Sequence, residues 1–256
     1  MRLTGRTILI TGGSAGIGLA FALKFLELGN EVIVTGRRQA VLDAVKARHP
    51  ALHTMQSDVA DPAQIAALAE RVKTDFPKLD VLMNNAGVGG TKNLTNPADD
   101  LNDLVSEVEI NVSGLIRTTA SLLDIIIRNR GTIINVSSAL AFVPAPAMPI
   151  YSATKAAVHS YTQSLRFQME DKGVEIIDLM PPAVRTEMTS EFDEAGMTTM
   201  SQDDLIKQSF AALRAGKLEI RPGQSNQLAF MRRVAPGFIG RQLWKATRPL
   251  LSRAAA

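Results

Sequence analysis

The stretch Thr7-Ile8-Leu9-Ile10-Thr11-Gly12-Gly13-Ser14-Ala15-Gly16-Ile17-Gly18 decides the fold. A short β-forming run breaks at once into a glycine-rich turn, and an apolar-periodic helical stretch, Ile17–Leu28, follows. Glycines permit positive φ and let backbone N–H groups approach a pyrophosphate, which the positive end of a helix also favours. The spacing is Gly-x3-Gly-x-Gly. With a strand before it and a helix after it, Gly12, Ser14, Gly16, Ile17 and Gly18 read as a nucleotide-phosphate turn. The same residues match the G-x-S-x-G elbow of a serine hydrolase, which needs an acid and then a histidine downstream. His49, His53 and His159 sit in no recognisable catalytic context, so the elbow is set aside.

Outward from this turn the chain alternates between two periods. Further β-rich runs fall at Glu31–Thr35, Leu52–Gln56, Val81–Met83, Thr132–Val136 and Val174–Leu179. Helical stretches separate most of them, at Gln39–Arg48, Pro62–Asp75, roughly Asp99–Arg128 and Tyr151–Lys172. Strands joined through helices must pair in parallel, because a tight hairpin cannot link parallel neighbours. The expected fold is α/β, a Rossmann-type doubly wound parallel sheet of about seven strands with helices on both faces. Thr186–Met200 lacks periodicity and reads as a loop or lid before a helix at Ser201–Ala215. Met180, Met188, Met197 and Met200 with Phe192 cluster there, either lining an apolar pocket or packing the lid on the core.

Composition narrows the function. The 256 residues are 46% hydrophobic and 21% charged, which excludes disorder, collagen and coiled coil. Zero cysteine removes disulfides, thiolate catalysis and Cys-based metal sites, and no metal site is expected. The cysteine count suits a reducing cytosol, and cytoplasmic localisation is the expectation. No apolar run is long enough for a spanning helix. Arg2 and Arg6 before Ile8–Ile10 could mimic a signal peptide, but the run breaks too early, and the N-terminus is taken as mature structure.

The net charge of +3 conceals an asymmetry. After Glu219 come Arg221, Arg232, Arg233, Arg241, Lys245, Arg248 and Arg253, with no Asp or Glu. Residues 1–219 therefore carry −4 and the last 37 carry +7. A basic tail is weak ground for nucleic-acid binding, and no nucleic-acid partner is expected. The chain divides into a core, 1–220, and a basic C-terminal extension, 221–256, packed on or beside it rather than forming a separate domain. Ile239, Leu243 and Ala246 recur at helical spacing beside Arg241, Lys245 and Arg248. Two readings stay open for this element of roughly ten residues. The favoured one is packing against the body or a second subunit; the other is weak peripheral contact with an anionic membrane.

Two constellations carry chemistry. Where a dinucleotide fold would place an acid for the ribose 2′-hydroxyl, the sequence reads Thr35-Gly36-Arg37-Arg38. Arg37 and Arg38 can pair with a phosphate, which favours NADP(H) over NAD(H). Tyr151 and Lys155 share one helical face, so a nearby ammonium is expected to lower the phenol pKa. Ser138 ends the preceding strand, where open α/β sheets place their ligands. His159, eight residues after Tyr151, reads as an interface or core histidine.

These elements, in this order, resemble the short-chain dehydrogenase/reductase family over about residues 3–220. The matching residues are Thr11–Gly18, Asp58-Val59, Asn84-Asn85-Ala86-Gly87, Asn111, Ser138, Tyr151-Ser152-Ala153-Thr154-Lys155 and Pro181-Pro182-Ala183-Val184-Arg185-Thr186. The stretch around Leu140–Tyr161 is most similar to the DltE-like subgroup. The resemblance implies an oxidoreductase that transfers a hydride between NADP(H) and a carbonyl or secondary alcohol. Tyr151 would be the acid/base, Ser138 would orient the carbonyl, Lys155 would hold the nicotinamide ribose, and Asn111 would link Lys155 to a water relay. It places Asp58 and Val59 at the adenine, and Asn85, Ala86 and Gly87 along the cofactor. Val184 and Thr186 would contact the nicotinamide carboxamide and phosphates, and Pro181 would also border the cofactor. The family's usual Pro-Gly is Pro181-Pro182 here, which alters the backbone route there. A homodimer or homotetramer is implied by the resemblance. The alternative is a non-catalytic dinucleotide-binding regulatory protein, against which the complete set Asn111, Ser138, Tyr151 and Lys155 argues.

Overall fold

The computed structural model describes residues 1–94, 101–190, 192 and 198–253. Seven strands form one parallel sheet: β1 (Thr7–Ile10), β2 (Glu31–Gly36), β3 (His53–Gln56), β4 (Leu79–Asn84), β5 (Thr132–Val136), β6 (Glu175–Leu179) and β7 (Glu219–Ile220). Their order is β3-β2-β1-β4-β5-β6-β7. The chain reverses its winding between β1 and β4, so a crevice opens at the carboxyl ends of those two strands.

Both faces of the sheet are covered, and alternation along β1 shows how. Ile8 and Ile10 face one layer, together with Val32 and Val34 of β2 and Phe21 and Phe25 of α1 (Gly16–Glu27). Leu9 and Ile33 face the other, with Leu68 and Val72 of α3 (Pro62–Asp75) and Leu122 and Ile125 of α5 (Leu115–Arg128). Strands buried on both sides must be apolar throughout, which is why Thr7–Ile10 lacks polar alternation. Phe21, Phe25 and Phe210 of α7 (Gln202–Arg214) meet with ring centroids 4.9–6.3 Å apart and lock α7 onto α1. The remaining early helix, α2 (Gln39–Arg48), lies between β2 and β3.

The long helix expected over Asp99–Arg128 is divided. Residues 95–100 lie outside the described residues, α4 runs Leu101–Val108, and a π-helical turn, Glu109–Gly114, leads into α5. The turn ends in close packing: a Cβ on Gly114 would stand 2.6 Å from the Val59 carbonyl oxygen. α6 starts two residues before Tyr151, at Pro149, and runs to Gln168. A 3-10 turn, Glu170–Lys172, completes the stretch expected to be helical.

Of the stretch expected to be a loop or lid, 191 and 193–197 fall outside the described residues, Met197 among them. Its ends are fixed by a 3-10 turn at Glu187–Thr189 and a parallel bridge between Val184 and Met200. The tail forms two helices, α8 (Ser225–Val234) and α9 (Pro236–Arg253), considerably more than the ten-residue element expected. Leu250 and Thr247 of α9 are buried.

Candidate active site

The glycine-rich turn is built by contacts only glycine allows. Gly12 and Gly16 have φ of 63° and 54°, and a Cβ on Gly12 would lie 2.8 Å from the Ala86 Cα. A Cβ on Gly18 would meet Asn85 Nδ2 at 2.4 Å. The Asn85 amide donates to the Thr11 and Gly12 carbonyls at 3.0 Å each, and Thr11 Oγ1 accepts from the Asn85 and Ala86 N–H groups at 3.1 Å. Turn and β4 exit are thereby stitched together across the crevice. At the start of α1, Ala15 stands as N-cap without a capping side chain, so the first amides of the helix have no side-chain acceptor. Such a cradle fits an anionic diphosphate.

The flanks of this cradle gather the other expected cofactor residues. The Ser14 hydroxyl lies against Gly36, where an added Cβ would be 2.9 Å away. Exposed Arg37 and Arg38 follow directly, and among the described residues neither guanidinium has a carboxylate partner. Asp58 caps its own turn, accepting from the Ala60 N–H at 3.0 Å, and Val59 is buried against Gly114. Opposite, the Thr186 methyl is 3.5 Å from a Cβ placed on Gly16. Pro181 accepts from the Ala139 N–H at 3.0 Å, and Val184 is buried beside it. Pro182 follows with a trans peptide, and its Cγ would be 3.7 Å from a Cβ placed on Gly223.

A cavity of about 370 Å³ runs from this cradle to the tail. Ser138, Tyr151 and Lys155 line it together with Gly12, Gly16, Ile17, Asn85, Ala86 and Gly87. Ser138 is fixed as the N-cap of a 3-10 turn, accepting from the Leu140 N–H at 3.1 Å, and its hydroxyl lies near enough to the Tyr151 phenol to favour the phenolate. Lys155 is buried, with Nζ donating to the Val136 carbonyl at 2.8 Å and standing 5.5 Å from the centre of the Tyr151 ring. Asn111, in the π-helical turn, exchanges hydrogen bonds of 2.8 Å with both backbone groups of Val88 and donates to Thr154 Oγ1 at 3.0 Å. It thus braces the segment carrying Gly87 against α6.

The expected lowering of the Tyr151 pKa is corrected by the geometry. Burial pushes the phenol up to about 12, and the nearby charge of Glu107 acts in the same direction against the Ser138 hydrogen bond. The ammonium lies over the ring and binds a carbonyl, so desolvation outweighs it. Burial also brings Lys155 down to about 8, opposed by the carboxylate of Asp178.

Several residues at the site escaped the sequence reading. Gly89 lies flat on the tyrosine: a Cβ there would be 2.4 Å from Tyr151 Cδ2. Its only signal was the pair Gly89-Gly90. Asp178, fully buried on β6, holds Ser137 Oγ and, at 2.6 Å, Nδ1 of His159. His159 is therefore tied to the core, with its ring edge on Phe142. The methionines divide: Met188 lines the cavity with Phe192, whereas Met180 is buried elsewhere and Met200 packs on the core. Leu228 of α8 and Leu243 and Thr247 of α9 complete the wall. Ser14 has no histidine partner among the described residues, which leaves the hydrolase elbow without a base.

Comparison with known proteins agrees with this geometry. The family model for short chain dehydrogenase matches residues 6–196, and the chain belongs to the short-chain dehydrogenase/reductase family. It is 40% identical over 224 residues to the uncharacterized oxidoreductase DltE of Bacillus subtilis (strain 168), covering 86% of this chain and 89% of that protein. Similarity to a serine 3-dehydrogenase of Rhizobium radiobacter is 35% over 203 residues, 78% of this chain and 80% of that one. Among solved structures, a short chain dehydrogenase from Burkholderia cenocepacia J2315 in complex with NADP superposes with a TM-score of 0.83 at 26% identity. That match covers 95% of this chain and 99% of the other. A Burkholderia phymatum member in complex with NAD shares the fold, with a TM-score of 0.81 at 23% identity over 94% and 96% of the two chains.

Proposed function

We propose that the protein is an NADP(H)-preferring reductase of neutral, largely apolar carbonyl compounds, running in reverse as a secondary-alcohol dehydrogenase. The observation that carries this reading is the convergence of Tyr151, Ser138 and Lys155 on one cavity with the glycine-rich cradle. Gly12, Ser14, Gly16, Ile17 and Gly18 would hold the diphosphate, and Arg37 and Arg38 a 2′-phosphate. Asp58 and Val59 would stand at the adenine, and Lys155 at the ribose nearest the reaction. Asn85, Ala86, Gly87, Pro181, Val184 and Thr186 would border the cofactor along its length. When bound, the nicotinamide supplies or accepts the hydride.

The chain's own residues handle the oxygen. Ser138 Oγ donates a hydrogen bond to the substrate carbonyl and holds it beside the phenol. Tyr151 transfers its proton to that oxygen as negative charge develops there. A phenol displaced to about 12 is protonated at neutral pH, the form a reduction needs. Alcohol oxidation requires the same oxygen to receive a proton, so its rate rises with pH while reduction stays flat until the phenol ionises.

The substrate class follows from the walls. Lys155 and Glu187 are the charged residues among the described lining, and Ala145, Met148, Phe192, Leu228 and Leu243 present hydrocarbon. Among the described lining no guanidinium stands ready for the carboxylate of an amino acid such as the one in the name of the Rhizobium relative, and Lys155 is engaged by the Val136 carbonyl.

Tyr151→Phe is expected to abolish turnover of a cyclic or aliphatic ketone with NADPH while NADPH still binds in a fluorescence titration. Retained turnover would overturn the acid/base assignment. Tight NADPH binding by the native protein without oxidation across a broad ketone and aldehyde panel would instead favour a non-catalytic regulator. Arg37→Ala combined with Arg38→Ala should weaken NADPH far more than NADH; equal losses would remove the preference.

A further inference from the structure

The two tail helices turn different faces inward and outward. On α9, Leu243, Thr247 and Leu250 recur at i, i+4, i+7 and lie toward the cavity and core. Arg241, Lys245 and Arg248 recur with the same spacing on the opposite side and are exposed. Large apolar side chains flank these cations instead of being buried. Phe230 and Val234, one turn apart on α8, are 64% and 58% exposed, and Phe238 and Trp244 on α9 are 51% and 38% exposed. Arg232 and Arg233 are exposed beside them, and Arg248 stands 5.9 Å from the Trp244 ring centre. No acidic residue follows Glu219 to offset the basic charge.

A face that exposes aromatic and aliphatic groups among uncompensated cations matches one kind of partner better than others. A second copy docking about a two-fold axis would set this basic face against itself, with like charges meeting across the contact. A nucleic acid would answer the charge but leave the phenylalanines and valine without apolar contact. An anionic lipid surface answers both: headgroups take the cations, and the interfacial layer takes the rings. We infer that α8 and α9 form a docking face for an anionic bilayer, held by Phe230, Val234, Phe238 and Trp244 and oriented by the surrounding arginines and Lys245.

Trp244 is the sole tryptophan, so its emission reports on this face alone. Full-length protein is mixed with phosphatidylcholine vesicles with and without phosphatidylglycerol, followed by emission spectra and flotation. The anionic vesicles are expected to shift the emission to the blue and float the protein; neutral vesicles do neither, and high salt reverses the effect. Each cation near an anionic surface strengthens partitioning on the order of fivefold, so Arg241→Glu with Lys245→Glu should weaken it by at least about tenfold. Phe230→Ser with Phe238→Ser should weaken it comparably, with the melting temperature of both variants unchanged because the side chains are exposed. Absence of shift and flotation with either vesicle overturns the proposal. So does a concentration-dependent blue shift without lipid, which would assign the face to a second copy. A shift with duplex DNA but not with vesicles would overturn it in favour of nucleic acid.

Discussion

Tyr151 and Lys155 are both displaced by burial, and the displacements act on stability in opposite senses. Lys155 titrates near 8 in the folded protein against 10.5 in the open chain, so below pH 8 its buried charge opposes folding. Between those values the unfolded chain binds the extra proton, and stability rises with pH. Tyr151, raised from 10 to about 12, contributes a fall over that later interval. Lys155→Met should therefore lose a pH-dependent gain of about 3 kcal/mol between pH 8 and 10.5, read by denaturant unfolding of both proteins. An identical pH dependence in the two would refute the assignment. Gly89→Ala belongs to the same scale. Its Cβ cannot enter without moving the Tyr151 ring, so kcat should fall sharply while NADPH affinity is retained. Tyr151, Ser138 and Lys155 were legible because their types and spacing state a chemistry. The direction of the phenol's titration was not, since burial and the ammonium's position over the ring are properties of the packed cavity.

Elements were legible in proportion to their length and periodicity. β1, α2, α3 and β5 fall on the residues expected, because a strand buried on both faces and an amphipathic helix, capped in the case of α3, each leave a local signature. Asp61 shows the second case: it accepts from the Ala63 and Gln64 N–H groups just before Pro62, and so marks the start of α3. The π-helical turn left none, because it lies within one continuous helical stretch whose apolar pattern does not mark it. Nor did β7, which at two residues is too short for a period. Gly114→Ala must push Val59 from its place, costing about 1–3 kcal/mol of stability by the usual measure of overpacking. Weaker NADPH binding should accompany the loss. Unchanged affinity in a titration would place Val59 away from the cofactor.

Across the whole molecule, charge and apolarity are partitioned by chain position. Residues up to Glu219 carry a small negative excess, and the extension holds seven cations. Composition made that division visible, but not that one helix of the extension would also supply the inner wall at Leu243 and Thr247. Leu243→Asp places a carboxylate in that wall. It should raise KM for bulky apolar ketones by on the order of tenfold, a desolvation penalty of about 1–2 kcal/mol, while NADPH binding holds. Equal KM values would show that the wall does not touch substrate.

The position of that wall in the chain has a consequence during synthesis. The glycine-rich turn and the first six strands leave the ribosome before α9, and domains begin to fold as they emerge. A nascent chain can close its nucleotide cradle while the chamber beside Tyr151 still lacks one side. A product cut short by premature termination or proteolysis before Pro236 would lack Leu243 and Thr247, and with them one side of the cavity that Tyr151 lines.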